Sequence, residues 1–158
     1  MVFKLVHEKY GVDISVVYEI IRMQPITMVP EAPFFVEGII NLRGRVIPVV
    51  DMRKRFGLPS AEHDKDNRIM VLDSAGQCVG IIIDSITEVL RISSDAIEPP
   101  SSIISSTASD FLRGIAKNGN DMIILLDMEQ VLQKEALSAV TGLYEGKGGG
   151  TIEVGAPV

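Results

Sequence analysis

The chain has few of the side chains on which most catalytic, nucleic-acid-binding and membrane proteins depend. Its 158 residues include no tryptophan, two histidines and one cysteine, and aromatic residues make up only 5%. A single cysteine cannot form an intrachain disulfide, and Cys78 lies in an apolar run, so we expect a buried, reduced thiol. The apolar runs are far shorter than the roughly 20 residues that a transmembrane helix needs. We therefore expect a cytoplasmic protein without direct membrane insertion.

The charge balance argues against a nucleic-acid-binding surface. The formal net charge at pH 7 is −6 and the isoelectric point is near 4.9, whereas binding to nucleic acid is driven largely by cationic side chains. The few aromatic residues also leave little to stack on single-stranded bases. One basic cluster is present, because Arg53, Lys54 and Arg55 follow Arg43 and Arg45. This cluster is either a solvated helix face or a docking patch for an acidic partner.

No arrangement of residues predicts catalysis, a metal site or a cofactor site. His7 and His63 have no spaced cysteine or aspartate partners that would complete a metal site. The glycines do not follow the spacing of a phosphate-binding loop, and the serines between residues 101 and 109 do not form a nucleophile elbow. We therefore predict that the protein is not an enzyme and uses no cofactor.

Part of the sequence is repeated. The matching pairs, all 76 positions apart (114−38), are Gly38 and Gly114, Ile39 and Ile115, Ile47 and Ile123, Asp51 and Asp127, and Met52 and Met128. A shared offset without gaps indicates the internal duplication of a strand-turn-strand-helix unit.

The earlier part of each copy aligns more weakly. An offset of 65 (76−11) pairs Gly11 with Gly76 and Glu19 with Asp84. The difference between the two offsets predicts an insertion of 11 residues (76−65) in the second copy. We place it in a long surface loop over residues 99–110, which has neither helical nor strand periodicity.

Short apolar runs rich in Val and Ile, separated by Gly, Pro, Asn or Ser, predict an all-β protein with short helices. Asp51 and Asp127 each suit a helix N-cap, because a carboxylate accepts hydrogen bonds from the first N–H groups of the helix. Gly57 and Pro59 predict an early end to the first helix, and we expect the second to reach Leu137. The predicted strands are residues 3–6, 10–14, 19–23, 36–42 and 45–50, then 68–72, 78–83, 87–92, 112–117 and 122–126.

The periodic segments predict one domain over residues 1–141. Its first repeat covers about residues 3–58 and its second about residues 68–137. The remaining segment, 142–158, is rich in glycine and has few apolar side chains, so we expect it to be disordered.

The two copies differ most at the first hairpin turn. Arg43 lies in that turn, and the equivalent position of the second copy is Gly119. A purely structural turn therefore does not need the arginine. Arg43 either pairs with a carboxylate such as Glu19 and orders its half of the fold, or it serves recognition, and both roles are compatible.

A second difference is Pro48, which stands where the second copy has Ile124. Proline cannot donate to a strand ladder, so we expect its strand to be an edge or to be bulged. Such a strand is either a docking seam or an edge protected from aggregation. In the second copy, Asn118-Gly119 predicts a type I′ hairpin turn.

The run from Phe35 to Asp51 resembles the signature of the CheW family of bacterial chemotaxis coupling proteins. At its centre the chain reads Asn41-Leu42-Arg43-Gly44-Arg45 between long apolar stretches, which is not general β-protein composition. The resemblance covers about residues 3–137. Supporting stretches are residues 10–14 with 19–20, 79–84 with 88–90, and 112–115.

The resemblance implies two pseudo-symmetric small five-stranded β-barrels and a non-enzymatic signal-transduction adaptor. Members of the family couple the cytoplasmic tip of methyl-accepting chemoreceptors to the regulatory domain of the histidine kinase CheA. The receptor tip is expected to lie in the groove between the barrels. The alternative is a β-barrel that binds a small molecule or single-stranded nucleic acid, although the acidity and the sparse aromatic residues argue against it.

The resemblance also indicates which residues bind the partner. Val89 and Leu90 are added here as the opposite wall of the groove, because a docked helix needs spaced apolar contacts. The positions that match the family pattern for receptor coupling are Val17, Glu19, Gly38, Asn41 and Arg43.

Overall fold

The computed structural model describes residues 1–74, 76–99 and 111–132, which form two β-sheets and two short α-helices. The strands are β1 (Val2–Leu5), β2 (Glu8–Gly11), β3 (Val17–Arg22), β4 (Val36–Leu42), β5 (Arg45–Asp51), β6 (Arg68–Ser74), β7 (Gln77–Ile83), β8 (Ser85–Glu88), β9 (Ile97–Glu98), β10 (Leu112–Asn118) and β11 (Asp121–Leu126). The helices are α1 (Met52–Arg55) and α2 (Met128–Leu132). One sheet has the order β8-β1-β2-β11-β10-β9, and the other has the order β3-β6-β7-β5-β4. The all-β fold class predicted from the sequence is confirmed.

Each sheet takes strands from both sequence repeats. In the six-stranded sheet, the hairpin β1–β2 of the first repeat lies between β8 and β11 of the second. In the five-stranded sheet, the hairpin β6–β7 of the second repeat lies between β3 and β5 of the first. The two arrangements are equivalent strand for strand, apart from the additional β9. The repeats are thus related by pseudo-symmetry through an exchange of hairpins.

The strand pairing corrects the alignment of the first part of the repeats. Gly11 lies opposite Leu125, and Gly80 lies opposite Val49. Because Val49 and Leu125 are 76 positions apart (125−49), Gly11 is equivalent to Gly80, at an offset of 69 (80−11). The predicted offset of 65, which matched Gly11 with Gly76, is therefore wrong.

The same correction applies to Glu19. On β3, Glu19 lies opposite Val71, and on β8, Glu88 lies opposite Val2. Both pairs of positions differ by 69 (88−19 and 71−2), so the counterpart of Glu19 is Glu88 and not Asp84. The second copy is accordingly longer by 7 residues (76−69) rather than 11.

The predicted strands are present, but the prediction that the strand with Pro48 is an edge is wrong. Each predicted strand is present, β4 with the predicted ends and the others with one or both ends shifted, whereas β9 was not predicted. The strand that carries Pro48 is β5, which lies between β4 and β7 and is not an edge. Pro48 pairs with Ile39 on β4 without a bulge, and pairing with β7 begins one residue later, at Val49. The proline is tolerated because the ladder with β7 does not include it.

Both helices begin as predicted. The carboxylates of Asp51 and Asp127 each accept a hydrogen bond from the backbone N–H two residues later, at 2.9 and 3.2 Å. Helix α1 ends before Gly57, whose φ of 69° is typical of a glycine that stops a helix. Cys78 is buried and free, as expected.

Some predictions lie outside the described residues. These are the loop up to residue 110, the extension of the second helix to Leu137 and the disorder of residues 142–158. No helix in the described part of the chain is long and apolar enough to cross a bilayer.

Arg55 lies where the two repeats meet. Its guanidinium carbon is 5.1 Å from the ring centroid of Phe35 and 4.6 Å from that of Phe111, and these two rings are equivalent, 76 positions apart (111−35). Its Nε donates to the carbonyl oxygen of Val131 at 2.5 Å, and Val131 is the counterpart of Arg55 itself (131−55). Burial lowers the pKa of the guanidinium. One arginine therefore contacts the equivalent phenylalanine of each repeat and the residue that takes its own place in the second repeat.

Asp84 joins the two sheets at a second point. Its carboxylate accepts a hydrogen bond from Nε of Arg53 on α1 at 2.9 Å and from the backbone N–H of Val6 at 2.8 Å. Its carbonyl oxygen accepts a hydrogen bond from the side chain of Asn67 at 3.0 Å. Burial alone would raise the pKa of the Asp84 carboxyl, but the Arg53 guanidinium and the Val6 N–H lower it below its ordinary value.

We expect Asp84 to make the stability depend on acid pH. Its folded pKa is depressed, so its contribution is present above the unfolded pKa of about 3.9 and is lost as the pH falls through the lower folded value. Asp84→Asn should therefore lower the free energy of unfolding at pH 7 by about 1–2 kcal/mol and flatten its decline below about pH 4. Urea unfolding between about pH 3 and pH 7 measures both effects. Asp73→Asn, at an exposed position of β6, is the matched control; equal pH profiles for the two variants would contradict this assignment.

Candidate functional site: the first hairpin and strand β3

One ion pair links the two edge strands of the five-stranded sheet. Arg43, in the turn between β4 and β5, donates through Nη1 to Oε1 of Glu19 at 3.0 Å and through Nη2 to Oε2. One guanidinium therefore engages both carboxylate oxygens. Glu19 lies on β3, and β3 and β4 stand at opposite ends of the strand order. The pair connects the turn after β4 with β3 and confirms the predicted pairing.

Arg43 holds a backbone conformation that is uncommon for arginine. Its φ is 50° and that of Gly44 is 87°, which are the signs of a type I′ turn, where Asn, Asp and Gly are the usual residues. Asn41 closes the turn, because its Oδ1 accepts a hydrogen bond from the N–H of Gly44 at 2.8 Å. The backbone conformation of this turn disfavours arginine. The presence of Arg43 therefore indicates that its side chain has a role other than forming the turn.

The second hairpin has a different turn. Asn118 pairs with Asp121, so the loop consists of Gly119 and Asn120, and of these two only Gly119 has a positive φ, of 64°. That pattern is typical of a type II′ turn. The predicted type I′ turn centred on Asn118-Gly119 is wrong, because Asn118 stays within β10.

The pair is exposed, and this limits its structural contribution. Its hydrogen bonds lower the pKa of Glu19 and raise that of Arg43, so both groups stay charged near neutral pH. The Arg43 side chain is 62% exposed and that of Glu19 is 25% exposed. Solvent and salt screen such a pair, which then adds little to stability. A guanidinium has more N–H donors than the carboxylate uses, so Arg43 remains able to bind a partner.

Gly38 has a structural reason to be glycine. The chain at Thr27 forms a bridge to Ile39 across Gly38, and a Cβ on Gly38 would lie 2.0 Å from the Thr27 carbonyl oxygen. Gly114 repeats this arrangement, since a Cβ there would lie 2.7 Å from the carbonyl oxygen of Glu98. The structure thus places Gly38 beneath Thr27, as a residue that positions β4. Thr27 was not among the predicted residues, although the recurrence of the glycine in both repeats indicates a segment that covers it.

The structure divides the remaining candidates between the sheets. Val17 is half-buried at the start of β3 and packs against the main core. Val89 is 56% exposed, and with Leu90 it lines a cavity of about 610 Å³ beside the six-stranded sheet. Val89 and Leu90 directly follow β8, which belongs to the six-stranded sheet. Strands β3 and β4 and the turn between β4 and β5 carry the other five candidates, all on the five-stranded sheet.

Three residues beside α1 have donor atoms that a single cation could reach. The donor atoms of Glu37, Asp51 and His63 lie within 4.8 Å of one another. However, Glu37 forms an ion pair with Lys54 and Asp51 caps α1. Helix capping and ion pairing account for both carboxylates.

The candidate site is an exposed ion pair on a duplicated β fold. The Glu19–Arg43 pair lies at the edges of a β-sheet and belongs to the hairpin that differs between the repeats. The fold defines a class of β proteins in which two repeats exchange hairpins to form two sheets.

Comparison with known proteins identifies the family. Residues 1–136 match the CheW-like domain. The chemotaxis protein CheW of Klebsiella aerogenes is 32% identical over 140 residues, which is 89% of this chain and 84% of that protein. The chemotaxis protein CheW of Rhizobium meliloti is 34% identical over 137 residues, or 87% of this chain and 88% of that protein. The crystal structure of the scaffolding protein TtCheW from Thermoanaerobacter tengcongensis is 43% identical, with a TM-score of 0.76 over 82% of this chain and 84% of that chain. The chain belongs to the CheW family, a family of chemotaxis scaffold proteins.

Proposed function

We propose that this chain is a cytoplasmic adaptor that couples methyl-accepting chemoreceptors to the histidine kinase CheA, without catalysis of its own. Family membership supports a role in chemotaxis. The Glu19–Arg43 pair is the observation that supports the position of the binding site. Arg43 is exposed, holds an unfavourable φ and has Gly119 as its counterpart in the second repeat. The first hairpin therefore meets a requirement beyond folding, which we assign to receptor binding.

A receptor helix is a suitable occupant of this surface. Helices dock through apolar side chains spaced by three or four residues, for which the exposed part of Val17 offers a contact. The free N–H groups of Arg43 would then orient the helix through a carboxylate or amide oxygen. Because Glu19 already holds the guanidinium, less side-chain entropy is lost when the partner binds.

Arg43→Gly is the sharpest test, because it installs the residue of the second repeat and relieves the positive φ. We expect the wild type to co-sediment with receptor cytoplasmic fragments and CheA and to activate the kinase. Arg43→Gly should weaken receptor binding about tenfold while its unfolding midpoint stays near that of the wild type. Val17→Asp should also weaken receptor binding, and its melting temperature is measured alongside.

Arg45→Ala serves as the control for a neighbouring exposed arginine in the same hairpin. The proposal is wrong if the wild type binds neither the receptor fragment nor CheA. A melting temperature raised by a nucleotide or single-stranded nucleic acid would support the alternative of a ligand-binding β-barrel. If the Arg43 and Val17 variants both assemble as the wild type does, the site is wrong but the family stands.

A further inference from the structure

Strand β3 presents an aromatic side chain next to the Glu19–Arg43 pair. Along β3, Val17 lies opposite Leu72 and Glu19 lies opposite Val71, so Tyr18 is the extra residue of a β-bulge. A bulge redirects a side chain out of the regular alternation of the strand. Tyr18 is accordingly 57% exposed.

Tyr18 and Arg43 are close neighbours. Tyr18 directly precedes Glu19, whose carboxylate binds the Arg43 guanidinium at 3.0 Å. The bond to Glu19 is the main cause of the raised pKa of Arg43, and the nearby Tyr18 side chain adds to it. The three side chains thus form one exposed cluster on the meeting edges of β3 and β4. Tyrosine and arginine are, with tryptophan, enriched at the centres of protein interfaces, because each combines a large contact area with directed hydrogen bonds.

The second repeat shows that the bulge itself does not need tyrosine. On β8, Ile86 lies opposite Phe3 and Glu88 lies opposite Val2, so the bulged residue is Thr87, 69 positions after Tyr18 (87−18). Both bulges are therefore retained, and so is the glutamate. The tyrosine and the arginine are both absent from the second copy. Tyr18 and Arg43 are thus two differences between the repeats that lie in one exposed cluster. Their proximity indicates that they serve the same function.

We infer that Tyr18 is a contact residue for the receptor helix and determines which receptors this chain accepts. The inference rests on the proposed function. The ring covers an apolar side chain of the helix, and its hydroxyl lies beside the donors of Arg43, where a carboxylate or amide of the helix would be bound. A helix that lacks either group in register with this pair binds more weakly.

Tyr18→Thr is the test, because it installs the residue that the equivalent bulge already carries. Isothermal titration with a chemoreceptor cytoplasmic fragment should show about tenfold weaker binding for Tyr18→Thr and a loss of less than about threefold for Tyr18→Phe. The loss should be independent of salt between about 0.05 and 0.5 M NaCl, whereas that of Arg43→Gly should depend on salt. The unfolding midpoint and the affinity for CheA should not change.

Thr87→Tyr is the matched control on the other sheet, and it should leave receptor affinity unchanged. If wild type binds the fragment and Tyr18→Thr binds within about twofold of it, the inference is wrong and the proposed function stands. If wild type does not bind the fragment at all, the proposed function fails and the inference fails with it.

Discussion

Gly38→Ala is expected to lower the free energy of unfolding by about 3 kcal/mol or more, because overpacking and backbone strain act together. The new methyl group would lie 2.0 Å from the carbonyl oxygen of Thr27, and the φ of 152° is one that other residues rarely adopt. Backbone atoms cannot move aside as a flexible side chain can, so the bridge between Thr27 and Ile39 should break. Urea unfolding followed by circular dichroism measures the loss.

Gly44→Ala distinguishes the steric clash of an added Cβ from the strain of a positive φ. The φ of Gly44 is 87°, and a Cβ there would have no neighbour within 4 Å. Its cost should therefore be limited to the strain of a positive φ, about 1 kcal/mol. Equal losses for the two variants would contradict the role of Thr27. If the large difference is found, a coupling defect in a Gly38 variant reflects a disturbed β4 and not a lost contact with the receptor.

Arg55→Ala is expected to cost about 3 kcal/mol of unfolding free energy. The change removes two cation–π contacts and the hydrogen bond to Val131, and it leaves a cavity between the rings of Phe35 and Phe111. The Nη2 atom of Arg55 is buried without a hydrogen-bond partner among the described residues, which offsets part of this loss. Thermal and urea unfolding measure the change.

Arg55→Met tests whether volume or charge matters at this position. A methionine keeps most of the volume, packs well on aromatic rings and removes a buried charge, so we expect a loss of only about 1 kcal/mol. Arg45→Ala, at an exposed position, should change stability by less than about 0.5 kcal/mol. The assignment is wrong if Arg55→Ala is as mild as Arg45→Ala.

The sequence predicted the strands well because their pattern is local. Alternating or continuous apolar runs between turn residues located β4 at residues 36–42, as observed. Asp51 and Asp127 were recognised as caps for the same reason, since capping depends on the residues directly after them. The pair of Glu19 and Arg43 was one of two interpretations of Arg43, and it came from opposite charge and from the difference between the repeats rather than from proximity in the chain.

The exchange of hairpins could not be predicted in the same way. Two identical repeats give the same periodicity whether each one closes its own sheet or lends a hairpin to the other. The basic cluster shows a related difficulty, because its helix residues have partners within the fold that the local pattern does not reveal, and docking to an acidic partner stays a prediction. Arg53 pairs with Asp84, Lys54 pairs with Glu37, and Arg55 lies between two rings. Their partners are up to 76 positions away (131−55), beyond any local pattern.

The exchange of hairpins also determines the order in which the sheets can be completed. The strands of the five-stranded sheet follow one another without interruption from Val17 to Ile83, whereas the six-stranded sheet combines the two sides of that segment. During synthesis, the first sheet has all its strands before β8 is made. The hairpin β1–β2 is made first but must wait for β11, since Lys9 pairs with Ile123, 114 positions later (123−9). Because pairing over such separations is slow, the middle of the chain is expected to fold first, and the last step joins its two ends.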